Sequence, residues 1–82
     1  MLFRSHVRIQ DIRRVGADEK HLKVELVAKD GNSFGAIGFG FGSFAEVTTI
    51  GSHVDVAYEL DINEWNGFKK IQLRIVDIRL SV

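Results

Sequence analysis

Eight consecutive residues, Asn63-Glu64-Trp65-Asn66-Gly67-Phe68-Lys69-Lys70, hold a tryptophan, a phenylalanine, two lysines and two asparagines. Aromatic faces can stack on bases, and ammonium groups can neutralise phosphates. Together they are what a single strand of nucleic acid needs from a protein. The segment lies between two alternating runs, 54–62 and 71–78. Asn66-Gly67 signals a tight two-residue hairpin, because both positions tolerate positive φ. A solvent-facing turn has little structural need for two large rings beside two cations.

Other chemistries find less support. His6, His21 and His53 fall at no metal-ligand spacing. Asp55, Glu59 and Asp61 stand two or four apart on one run, so their carboxylates share a strand face. A cation site or an acid–base pair would need further groups converging there. A solvated strand face is the expectation. Gly38-x-Gly40-x-Gly42 alternates along a strand and lacks the spacing of a dinucleotide-binding loop. The chain offers no nucleophile with its base, no oxyanion donor and no metal cluster. No catalytic residue, metal or cofactor is expected.

Length and composition narrow the setting. Eighty-two residues suit one domain, 1–82, with one core. Cysteine is absent, which removes disulfides and thiolate metal sites and fits a cytoplasmic protein. No apolar run can span a membrane, and the first residues are not a signal peptide. Eleven basic residues balance eleven acidic ones. Zero net charge argues against a strong sequence-independent nucleic-acid binder, whose affinity comes largely from phosphate neutralisation. Clustering of the cations near both ends of the chain still permits a local basic stripe.

Five strands and one short helix must position these residues. The first strand covers about 4–15, with a phase slip near Gln10 or Asp11 that predicts a β-bulge. The second, 21–29, turns Leu22, Val24, Leu26 and Ala28 to one face. The third, 33–41, alternates Ile37, Phe39 and Phe41 with Ala36, Gly38 and Gly40, and its bare face suggests close approach by a backbone or ligand. Ser43 and Glu46 match a capping box, so a helix is expected to start at Ser43 and stop by Gly51. The fourth strand turns Val54, Val56, Tyr58, Leu60 and Ile62 to one face. The fifth turns Ile71, Leu73 and Ile75 inward. Closing such a sheet removes its edges. Three strands, a helix and two strands is the order of an all-β, five-stranded Greek-key OB barrel. A β-sandwich would need more chain.

The segments 21–24, 30–31, 36–40, 51, 54–60 and 62–67, with Ile71-Gln72-Leu73 and Asp77-Ile78, resemble the OB domain of RecJ single-strand-specific DNA exonucleases. Ile62-Asn63-Glu64-Trp65-Asn66-Gly67, followed by Gln72-Leu73 and Asp77-Ile78, is the most specific part. The resemblance implies an accessory domain that helps a 5′–3′ exonuclease hold single-stranded DNA, in repair or recombination, beside a separate catalytic nuclease domain. The Asp-His-His motif of that catalytic core does not occur here. Gly38 stands where the family's Ala-Ile-Ala-Phe run has alanine.

OB barrels bind oligomers across strands two and three, between the loop after strand one and the loop joining strands four and five. That surface is expected to carry Arg14, Lys20, His21, Lys23, Trp65, Asn66, Phe68, Lys69 and Lys70, with Arg8 and Arg74 flanking it. Trp65 has two readings, a stacking platform or an anchor folded onto protein. The rival for the whole chain is a structural docking domain with Trp65 and Phe68 as interface anchors.

Overall fold

The computed structural model describes all 82 residues. Its strands are β1 (Leu2–Val15), β2 (His21–Val27), β3 (Ser33–Gly38), β4 (His53–Trp65) and β5 (Phe68–Leu80). They close in the order β1-β2-β3-β5-β4. All neighbours are antiparallel except β3 and β5, which run parallel through Ala36–Leu73 and Ile37–Arg74. This is the expected OB barrel.

Period-two patterning explains the core. Leu22, Val24 and Leu26 of β2 point inward with Ala36 of β3 and Val54, Val56 and Tyr58 of β4, and Val7, Ile9, Leu73, Ile75 and Ile78 complete the cluster. Burying one such large side chain stabilises the fold by about 1.5–3 kcal/mol.

β1 serves two partners, and bulges let it bend between them. Against β2 the register jumps between Ile9 and Asp11, so Gln10 is the extra residue, as its sequence phase predicts. A second shift, between Arg4 and Val7 against β4, has no sequence signal. There His6 takes φ +54°, and its N–H donates to Asp55 Oδ1 at 3.0 Å. On β5, Val76 is the extra residue opposite Ala57 and Tyr58, which carries the inward phase from Ile75 to Ile78.

Three expected elements are corrected. The second strand stops at Val27, where a turn around Gly31 begins with Gly31 N–H donating to the Ala28 carbonyl at 3.0 Å. The third strand stops at Gly38 rather than Phe41. Phe41 N–H reaches back to the Gly38 carbonyl (3.2 Å), and Gly40 supplies φ +81° at the third turn position. The turn folds Phe41 inward. A Cβ on Gly38 would lie 3.1 Å from the Phe41 Cβ, so the bare face accommodates that ring.

The expected capped helix is a 3-10 turn, Gly42–Glu46, with no side-chain cap. Ser43 is not its N-cap, and Glu46 instead pairs with Arg14 of β1 at 3.1 Å. Gly42 fixes the turn's position. Its N–H donates to the Lys20 carbonyl at 2.8 Å, and any Cβ there would lie 2.8 Å from the Lys20 carbonyl carbon. The 3-10 turn is thereby docked on the loop between β1 and β2.

Candidate nucleic-acid interface

β4 and β5 run past the end of the barrel as a hairpin. Trp65 pairs with Phe68 across Asn66 (φ +48°) and Gly67 (φ +77°), the geometry expected of a two-residue turn with positive φ at both positions. Directly opposed residues share a face, and neighbours along a strand do not. Trp65, Phe68, Asn63 and Lys70 therefore lie on one face of the hairpin. Lys69 lies on the other with Glu64, Ile62 and Ile71. The lysine pair is split between the two sides. Trp65 is 53% and Phe68 69% exposed, so neither ring folds onto the barrel.

Leu60, Ile62 and Ile71, assigned inward by their phase, are exposed. Their faces are correct, but there is no barrel beneath them at that height.

The outer face of β2 and β3 is built from alternate residues. His21, Lys23 and Glu25 come from β2, with Gly35 and Ile37 opposite on β3 and Phe39 just beyond. The His21 ring meets the Phe39 ring edge-on at 5.3 Å between centroids, and its Nδ1 accepts from Gly40 N–H at 3.0 Å. Phe39 is 58% exposed. It belongs on this surface, in addition to the residues expected there. Its sequence signal is a bulky ring between two glycines, in phase with the outer face.

Below Ala36, β5 parts from β3. In that opening lies a groove of about 270 Å³ lined by Lys23, Glu25, Gly35, Ala36, Lys70, Ile71 and Gln72. It joins the β2 face to the base of the hairpin and brings Lys23 and Lys70 to its rim. Neither lysine takes part in an ion pair.

Other expected site residues are placed differently. Arg74 is held by both Glu59 and Asp61, the latter at 3.3 Å. Arg14 is held by Glu46, and Lys20 sits 3.9 Å from Asp18. Arg8 lies on β1 between Val27 and His53, away from the groove. Asn66 shapes the turn. The strand face of Asp55, Glu59 and Asp61 is not merely solvated. Glu59 and Asp61 clamp Arg74, while Asp55 is buried, accepting from the Ser81 hydroxyl at 2.7 Å, His6 N–H and Arg79 Nε at 3.2 Å. The Ser81 hydroxyl, then the His6 amide and Arg79, hold the Asp55 carboxyl below its usual range against the opposing effect of burial. The Arg13 side chain lowers Asp11 in the same way, at 2.9 Å.

The family model for the RecJ OB domain matches residues 1–77. The chain is 34% identical over 73 residues to the single-stranded-DNA-specific exonuclease RecJ of Bacillus subtilis (strain 168), covering 89% of this chain but 9% of that protein. Among solved structures, two crystal forms of the mitochondrial single-stranded DNA binding protein Rim1 of S. cerevisiae superpose on the barrel. The first gives a TM-score of 0.73 at 22% identity over 96% of this chain and 94% of that one. The second gives 0.59 at 20% identity over 95% and 90%. At such identities the likeness is one of fold.

Proposed function

Because this chain belongs to the RecJ OB-domain family, we propose that it is a non-catalytic module that binds single-stranded DNA, serving as the accessory domain of a RecJ-like 5′–3′ exonuclease. The observation that carries this reading is the groove with Lys23 and Lys70 at its rim, flanked by the exposed rings of Phe39 and Trp65. Cations track a backbone, and rings take the bases. The strand then crosses β2 and β3 from the His21–Phe39 pair toward the hairpin face of Trp65 and Phe68. Glu59 and Asp61 keep it off the base of β4. The names of the relatives support the same ligand. The chain spans a small part of the exonuclease it resembles, so the nuclease activity, a cytoplasmic setting and a role in repair or recombination are part of the proposal.

Titration of labelled oligothymidylate at low salt, with duplex as competitor, tests it. Binding should favour the single strand and weaken as salt rises. Lys23→Ala with Lys70→Ala should flatten the log–log salt slope by about 1.4, because each phosphate left without its cation removes about 0.7.

One observation favours a second reading. Leu60, Ile62 and Ile71 form an exposed apolar stripe on the hairpin's other face, suited to docking on a neighbouring domain. No binding at low salt, with capture of a separately produced nuclease core, would establish that reading instead.

A further inference from the structure

A second cationic hollow lies at the opposite end of β2 from His21. It has a volume of about 310 Å³, room for roughly ten waters, and Arg8, Lys29, His6, His53 and Gly31 are among its lining residues. No carboxylate lines it. Arg8 is exposed on β1 between Val27 of β2 and His53 of β4. Lys29 is exposed in the turn after β2, and neither cation is in an ion pair.

Two acids in the neighbouring segments direct their oxygens to other partners, although only Asp55 meets a cation. Asp30 accepts from the Asn32 backbone N–H and side-chain amide, each at 3.0 Å. Asp55 accepts from His6, Arg79 and Ser81. Two free cations and two imidazoles around a hollow without a counter-charge suit an anion. A guanidinium matches the paired oxygens of a phosphate.

His6 sits at φ +54°, a conformation that is costly without glycine and persists only where its surroundings hold it. The Asp55 carboxylate supplies that hold through the His6 N–H. The kink puts the imidazole at the hollow's edge. An adjoining hollow of about 300 Å³ shares Lys29 and Ala28, but Asp30 lines it beside Arg4, so the surplus of positive charge is confined to the hollow of Arg8 and Lys29.

We propose that Arg8 and Lys29, with His6 and His53 as further donors, form a phosphate-binding site separate from the β2–β3 groove. The outer faces of Asp11 and Glu25, opposite each other across β1 and β2, lie between this site and Lys23. The strand rise puts Val27, beside Arg8, about 13 Å from Lys23. Two sources share the chemistry: an internal phosphodiester of a bound strand, or a terminal phosphate.

Amide and side-chain NMR of the 82-residue chain tests the site. Inorganic phosphate, added at constant ionic strength, should give saturating shifts at His6, Arg8, Lys29, Gly31 and His53 and leave Lys23 and Gln72 still. Arg8→Gln with Lys29→Gln should abolish them, while Arg8→Lys retains them in weakened form. Both residues are exposed, and dispersed spectra of the variants would show the barrel intact. Oligothymidylate without terminal phosphates then separates the sources. Shifts at the same residues, and a salt slope about 1.4 shallower in the double variant, identify an internal phosphodiester. Shifts only with a phosphorylated end identify a terminal one. Non-saturating shifts, or shifts that persist in the double variant, overturn the site. Groove binding that survives the double variant leaves the function proposed above standing, so the two proposals fail separately.

Discussion

Trp65, Phe39 and Asp55 show how differently single side chains contribute. Phe39→Ala and Trp65→Ala should each weaken single-strand binding by about 1–3 kcal/mol, the usual value of one stacked base. Each ring is more than half exposed, so the melting temperature should barely move. A Trp65→Ala protein that melts far lower yet binds normally would make Trp65 a packing residue. Asp55 works in the fold instead. Its folded pKa is depressed, so its contribution is fully present above the unfolded carboxylate value, about 3.9, and is lost as pH falls through the folded value. Chemical denaturation across the acid range should show a steep loss of stability below about pH 4. Asp55→Asn should be less stable at neutral pH and lose less on acidification. An unchanged acid limb in the variant would show that other carboxylates, Asp11 among them, govern it.

Among the elements, the hairpin and the Gly42–Glu46 turn differ in where their determinants lie. The hairpin is legible in the sequence because its determinants are local: Asn66-Gly67 sets the turn, and period-two alternation sets the faces. The same alternation separates Lys69 from Lys70. Lys70→Ala should therefore reduce the salt slope by about 0.7, and Lys69→Ala should leave it unchanged; equal effects would mean that DNA wraps both faces. The 3-10 turn is not legible, because distant groups decide it. Glu46 answers Arg14 rather than a helix N-terminus, and Gly42 meets the Lys20 backbone. Arg74 looks free in the sequence for the same reason, since its acids lie on the other arm of the hairpin. Phe41 shares Phe39's face by phase alone, and Gly40 reverses the chain between them. Gly42→Ala tests the docking. The added methyl would have to displace backbone, and a loss of several degrees in melting temperature is expected, whereas Gly31→Ala, which meets nothing within 4 Å, suffers only from its positive φ.

For the molecule as a whole, the balance of charge limits affinity. Net charge is zero, and Arg13, Arg14, Lys20, Arg74 and Arg79 are engaged by acids. Arg4 is turned to the Tyr58 hydroxyl and the Phe34 ring, leaving Arg8, Lys23, Lys29, Lys69 and Lys70. With those five cations at most available to phosphates, the salt slope of the 82-residue chain should not exceed about 3.5 in magnitude. A steeper slope measured by anisotropy would require several molecules per strand.

The two ends of the chain flank the same strand. Leu2 pairs with Tyr58 on one side of β4, and Leu80 pairs with Val54 on the other. Four residues of rise and two strand spacings put these ends about 16 Å apart. A flexible linker of about eight glycine and serine residues has that reach. The order of the chain can therefore be changed without changing the barrel. A circular permutant joined by such a linker and opened at the exposed Gly31 turn should fold with every strand pairing kept. Because Gly31 lines the proposed phosphate hollow, the same cut would also show whether that site needs the closed turn: phosphate shifts at Arg8 and His53 should weaken while the barrel stays intact.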